Sequence, residues 1–275
     1  MMMPYCNLAL QFAYLAAIYN RKVVICLTAL VLSSCDLQNK PLQNNSGIPA
    51  QPVGFDWIDT IPKVAIRDTS LAFPQIFEGS FKPETKVSQL GVEITFDMMA
   101  AGNLNIPSGK IIATDPLTLS NAVAFKEQFP IGEFPVELAM ANINGNKDRR
   151  VAFARIKFSD NPVKQWEFAL LPGQLPISIK STDRYGYGVD AGIGLFVDQI
   201  AQNSLDSILD QKWEEIFSEE FEVYKNYAFQ NHKAVFYSTG YGDGFYTTYI
   251  GRDSVGKISQ LLTDFGIVLW WNIGK

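Results

Sequence analysis

The chain has few of the residues that metal and redox chemistry require. Its 275 residues include three cysteines, Cys6, Cys26 and Cys35, and a single histidine, His232. All three cysteines precede position 36, so the rest of the chain forms neither an internal disulfide nor a thiolate metal site. One histidine excludes any site with two imidazole ligands. A Ser-His-Asp triad would have to use His232, which lies between Asn231 and Lys233 at the start of a strand-like stretch. No Gly-x-Ser-x-Gly surrounds a serine. Phosphate-loop and dinucleotide fingerprints are absent too, since GYGVDAG (186–192) lacks the needed glycine spacing. There is no strongly basic patch and the formal charge is −5, which argues against a nucleic-acid partner. Apolar runs are short. Leu8–Tyr19 and Val23–Leu32 are separated by Asn20-Arg21-Lys22, and each falls below the roughly 20 residues of a membrane-spanning helix.

Apolar side chains are plentiful, at 47% hydrophobic and 13% aromatic. Many Tyr and Phe residues stand between glycines, which favours sheet over helix bundle. The front of the chain reads as an address. Arg21 and Lys22 precede the apolar run VVICLTALVL (23–32), and Ser33-Ser34-Cys35 follows it. A basic stretch, an apolar core of this length and small residues at a cut site describe a secretory signal. Leu32-Ser33-Ser34-Cys35 also resembles a bacterial lipobox, in which the cysteine thiol takes the diacylglycerol and becomes the first mature residue. The expectation is a lipoprotein with its acyl (palmitate-type) anchor at Cys35, facing the periplasm or the cell exterior. Loss of residues 1–34 removes Arg21, Lys22 and no acid, taking the formal charge from −5 to −7. Residues 35–53 form a tether: beyond Cys35 they are rich in Asn, Gln and Pro without periodicity. A flexible segment of that length spans about 20–25 Å.

Residues 54–275 are expected to form a single globular domain. VSQLGVEITFDMM (87–99) and NLNIPSGKIIAT (103–114) read as strands with turn residues between them. TLSNAVAFKEQ (118–128) suggests a short helix capped by Ser120 and ended by Pro130. FPVELAMANI (134–143) and RRVAFARIKF (149–158) read as strands, and VKQWEFALL (163–171) as the hairpin partner of the latter. In residues 197–222, Ile200, Leu205, Ile208, Leu209, Trp213, Ile216 and Phe217 recur at helical spacing opposite acidic residues. The fold class expected is α+β, mostly antiparallel sheet with one or two amphipathic helices packed on it.

Candidate sites centre on aspartates. Asp243 lies in STGYGDGFYTTY (238–249), between Gly242 and Gly244. The simpler reading is a hairpin turn joining KAVFYS to FYTTYIG. The functional reading is a ligand site at Asp243 with Tyr241 and Tyr246 as stacking walls. Asp190 stands in a small-residue turn of apolar context, where an unpaired carboxylate is unfavourable. Asp198 suits a helix cap, Asp115 a turn before Pro116, and Asp253 a second turn. Asp264 sits in the apolar strand LLTDFGIVL and needs a partner, for which Arg149, Arg150 or Arg155 would serve.

Five stretches occur in order: ATDPL (113–117), FPIGEFPVEL (129–138), RRVAFARIKF…WEFAL (149–170), YGVDAGIGLFVD (187–198) and STGYGDGFYTTYIG…GKISQLLTDF (238–265). Together they resemble a bacterial family, the domain-of-unknown-function family 4241, over about residues 110–268. The resemblance implies a shared fold and supplies no activity. Here Ser238-Thr239-Gly240 stands where the family usually has Ser-Gly, and Thr247 where a proline often follows the tyrosine. Asp115, Asp190, Asp243 and Asp264 all fall in these stretches. Three of them gathered together would bind a divalent cation such as Ca²⁺ or Mg²⁺. Two of them about 5–10 Å apart would do acid/base chemistry on a sugar. The functional expectation is a lipid-anchored binding or interaction module for a small-molecule or protein ligand. The alternatives are a hydrolase using paired aspartates and a protective interaction protein such as an immunity factor.

Overall fold

The computed structural model describes Val53–Gly54 and residues 75–270, other than Asn146, Lys180, Thr182, Glu219 and Glu220. The expected signal at 1–34 and the tether at 35–53, apart from Val53, lie outside the described residues. Among the described residues no helix is long and apolar enough to cross a membrane.

Two antiparallel sheets organise the chain. The larger has the order β2 (Lys86–Gln89), β3 (Val92–Ile106), β5 (Gly132–Ile143), β6 (Asp148–Lys157), β14 (Ile258–Asp264), β13 (Gly244–Arg252), β7 (Gln165–Phe168). The short β9 (Tyr187–Val189) pairs with the first residues of β13. The smaller sheet has the order β11 (Tyr224–Phe229), β12 (His232–Ser238), β10 (Ile193–Asp198), β4 (Ile111–Thr114). A separate two-residue pairing joins β1 (Val53–Gly54) to β8 (Asp183–Arg184). All these pairings are antiparallel. The α+β class, dominated by antiparallel sheet, is as the sequence predicts.

The sheets stack face to face, and three apolar layers result. Leu104, Ile106, Val136, Leu138, Ile156, Phe196, Val235, Tyr237 and Ile250 fill the space between the two sheets. On the outer face of the small sheet, Leu195, Val197, Ala234 and Phe236 meet Leu205, Leu209 and Ile216 of α2 (Gln202–Ile216). The other face of the large sheet is covered by α1 (Ile76–Gly79) and by Ile267, Val268 and Trp270 after β14. Coverage on both faces explains the continuous apolar runs. IGLFVD in β10 is buried at every position, and so is VAFARI within β6. The edge strand β11 is only partly buried along most of its length. α2 follows from its helical spacing, and Asp198 caps the 3₁₀ turn Gln199–Ala201 before it, accepting a hydrogen bond from Ile200 N–H.

Three local expectations are corrected. Residues 118–128 are not an α-helix. A 3₁₀ turn spans Pro116–Asn121 and Ala122 is extended, because Asp115-Pro116 starts the turn early and Ser120 lies within it rather than capping it. β7 does not return beside β6. It pairs with β13, while β14 lies against β6. STGYGDG is not a hairpin either. β12 pairs with β10 and β11 in the small sheet, and β13 with β14, β7 and β9 in the large one. The glycine-rich stretch is therefore a corner carrying the chain from one sheet to the other. Gly240 and Gly242 both take positive φ there, at 51° and 105°.

Candidate functional site

The aspartates of the family stretches do different work. Asp115 is wholly buried, and backbone N–H groups occupy both of its carboxylate oxygens. Oδ1 accepts from Leu117 at 2.6 Å, starting the 3₁₀ turn, and Oδ2 accepts from Asp190 at 2.7 Å and Ala191 at 2.8 Å. Burial pushes the Asp115 carboxyl above its ordinary range, the three N–H bonds pull it back, and the nearby Asp190 charge adds to the rise. On the far side of the same turn, Asp243 Oδ1 accepts from Gly192 N–H at 3.1 Å. The turn between β9 and β10 is thus held from both sides. Asp190 and Asp243 themselves are exposed.

Asp264 lies apart from this turn. It is buried at the end of β14, where Oδ2 accepts from the indole N–H of Trp270 at 2.6 Å and Oδ1 from Gly266 N–H at 2.9 Å. These two donors stand in place of the expected arginine. Arg149 pairs with Asp97, Arg150 with Asp148 and Arg155 with Glu137. Burial pushes Asp264 up to about 6, against the pull of Trp270, Gly266 and the Arg184 charge.

The two tyrosines also separate. Tyr241 is 64% exposed, and the Arg150 guanidinium lies 4.7 Å from its ring centroid. Tyr246 faces inward, edge-on to Phe265, and its hydroxyl donates to Gly242 carbonyl oxygen at 2.7 Å, pinning the corner from beneath. Burial raises its hydroxyl to about 12. His232 opens β12 with its ring 5.8 Å from that of Phe229. Among the described residues, no three His, Cys, Asp or Glu side chains group to hold a metal ion.

A cleft of about 210 Å³ lies at the edge where the sheets meet. The small sheet contributes Ala113 and Thr114, and residues 118–125 contribute Thr118, Val123 and Phe125. The large sheet and its loops contribute Ala169, Leu171, Tyr185, Tyr187 and Thr248. β9 pairs with Gly244–Tyr246 and β7 with Tyr249–Arg252, so Thr248 lines the cleft from the gap between the two pairings. Asp115 and Asp243 fix the turn that follows β9, and so position the cleft wall rather than line it. A second cavity, of about 240 Å³, is lined by Lys126, Glu127, Glu167 and Arg252. Burial raises the Glu127 carboxyl there. Sequence reasoning missed both cavities, because each draws its lining from several separate segments. The one local signal for the cleft is Tyr185-Gly186-Tyr187-Gly188, where Gly186 lets the backbone pass close to Tyr246 carbonyl oxygen.

A family model described as a protein of unknown function, DUF4241, matches residues 104–263, more than half of the chain. The chain belongs to the DUF4241 family. No curated protein and no solved structure matches it. In this DUF4241 protein the match takes in every residue of the cleft, together with Asp115, Asp190 and Asp243. It stops one residue before Asp264, and leaves out α1 and the covering segment that carries Trp270.

Proposed function

We propose that this DUF4241 protein is a binding module, held on a bacterial envelope membrane by an acyl anchor at Cys35, with the cleft beside Tyr187 as its ligand site. The observation that carries the reading is the apolar character of the cleft lining. Val123, which lines it, is 53% exposed. Leu117 and Leu175, exposed by 40% and 73%, are the sequence neighbours of the lining residues Thr118 and Gln174. A single exposed apolar residue needs no explanation, but a predominantly apolar lining at a concavity is a mark of binding surfaces. Thr114, Thr118 and Gln174 add a few polar groups to the apolar lining, the usual composition of small-molecule sites. The anchor rests on the basic stretch, the apolar run and Leu32-Ser33-Ser34-Cys35.

Hydrolysis by paired aspartates has less support. Backbone and indole donors take up the carboxylates of Asp115 and Asp264, and Asp190 and Asp243 are exposed outside the cleft.

A fragment library screened by thermal shift against the wild type and the cleft-filling variant Ala122→Phe tests the site. Fragments that raise the wild-type Tm and leave the variant unmoved are expected. Fragments that act equally on both would move the site elsewhere. Mass spectrometry of Cys35 from the native host tests the anchor, and an unmodified thiol would overturn it.

A further inference from the structure

Behind the cleft wall lies a polar cluster that the packing of the sheets does not require. Tyr187 lines the cleft, while its hydroxyl is buried and without a hydrogen-bond partner. Tyr237, on β12 of the opposite sheet, is wholly buried, and its hydroxyl is likewise unpartnered. Each hydroxyl lies near enough to the other and to Thr263 to interact, and neither makes a hydrogen bond of ordinary length and angle. Thr263 in turn shares a 2.9 Å hydrogen bond with Thr248, which lines the cleft. Four hydroxyls drawn from both sheets therefore cluster between the cleft and the inter-sheet core, and two of them are orphaned.

Buried polar groups are almost always satisfied, and an exception calls for a reason. Phenylalanine at 187 and 237 would fill the same space without an orphaned group. Burial holds both phenols in the neutral form, and at Tyr187 the nearby Asp115 charge adds to this. Neutral phenols both donate and accept, while the Asp115 charge disfavours an anionic guest.

We propose that the cleft takes a small neutral amphiphile whose apolar body packs on Val123, Phe125, Leu171 and Tyr185 and whose hydroxyl or carbonyl oxygen bonds the Tyr187 and Tyr237 hydroxyls. The inference rests on the cleft being the ligand site. Both hydroxyls are closed to solvent, so the Tyr187 side chain shifts to admit the head group. The small volume of the cleft suits a ligand below drug size.

The test is a titration of the full-length protein with phenol, toluene and benzoate, followed by NMR chemical shifts of the cleft residues. Phenol and toluene share a shape and differ in one hydroxyl. Phenol is expected to bind about tenfold more tightly than toluene, the ratio that one net hydrogen bond supplies, and benzoate more weakly than phenol. In the double variant Tyr187→Phe/Tyr237→Phe, toluene binding is retained and the phenol advantage vanishes. Equal affinity for phenol and toluene, benzoate binding as tightly as phenol, or a phenol preference that survives in the double variant overturns the amphiphile inference and leaves the cleft reading standing. Absence of shifts at cleft residues with all three probes overturns both.

Discussion

The carboxylate of Asp115 and the backbone N–H of Asp190, 75 positions apart in sequence, meet at 2.7 Å inside the protein. With Ala191 N–H on the same oxygen, this ties the start of the 3₁₀ turn Pro116–Asn121 to the turn between β9 and β10. The first of these lines the cleft through Thr118 and Asn121, and the second follows β9, whose Tyr187 lines it. The bond thus carries a local sequence feature, Asp-Pro, into the geometry of a binding surface.

Replacement of Asp115 by Asn keeps one acceptor oxygen but turns an amide toward backbone donors. Hydrogen bonds to a charged group contribute about 1.5–3 kcal/mol each. Asp115→Asn is expected to lower stability by about 3 kcal/mol in urea unfolding. Asp243→Asn, at an exposed site with one 3.1 Å bond, is expected to lower it by about 1 kcal/mol or less. Equal losses would contradict the ranking.

Asp264 gives a pH dependence of definite sign. Its folded-state pKa is about 6, above the ordinary 3.8. The folded protein therefore takes up this proton at a higher pH than the unfolded chain does. Its contribution to stability grows as pH falls through 6 and is complete below 3.8. At pH 7 the ionised group sits buried at a penalty on the order of 3 kcal/mol. Asp264→Asn keeps an acceptor for Trp270, turns its amide toward Gly266 N–H and does not titrate. Relative to wild type, the stability of the variant is expected to rise by on the order of 3 kcal/mol between about pH 4 and about pH 7.5. Urea midpoints at the two pH values check this, and a difference independent of pH would refute it.

Arg155 and Glu137 form a largely buried pair on neighbouring strands β6 and β5, with an Nη2–Oε2 distance of 2.6 Å. Gln260 Oε1 accepts a second bond from Arg155, and the guanidinium lies 3.8 Å from the Phe81 ring centroid. Removal of one member leaves a buried charge, so Glu137→Gln and Arg155→Met alone are each expected to lose about 3–5 kcal/mol. The double variant is expected to lose much less than the sum. A double-mutant cycle by thermal or urea unfolding reads the coupling, and strict additivity would count against the pair.

At the sheet-to-sheet corner, Gly240 has φ 51°, and an added Cβ would lie 2.9 Å from Phe265 carbonyl oxygen. Gly256, in the β13–β14 turn, also has positive φ, at 82°, but has open space around it. Gly240→Ala is therefore expected to destabilise more than Gly256→Ala, by at least about 1 kcal/mol. Comparison of the two melting temperatures tests the ordering.

The sequence carried local structure well and long-range pairing poorly. Helical spacing placed α2, and the Asp253 turn marked the β13–β14 hairpin, where Asp253 Oδ1 accepts from Val255 and Lys257. Glycine and aspartate signals show where the chain turns. They do not say whether it returns to the same sheet or crosses to another. STGYGDG and Asp160-Asn161-Pro162 therefore read as hairpins, although each leads to a strand that pairs elsewhere. The partner of Asp264 escaped for a related reason. Charge complementarity pointed to arginine, whereas the fold supplies an indole N–H six positions on, from a segment doubled back over the sheet. The cleft left little trace, because its lining comes from four separate stretches that only the stacking of the sheets brings together.

Amide hydrogen exchange tests the central claim, that Asp115 holds the cleft wall, most directly. The Asp190 and Ala191 amides, compared between wild type and Asp115→Asn, are expected to exchange slowly in wild type. In the variant they should exchange at least about 30-fold faster, the equivalent of about 2 kcal/mol of protection, and remain less protected than Val235 and Leu261 in the core. Unchanged protection at Asp190 and Ala191 in the variant would contradict it.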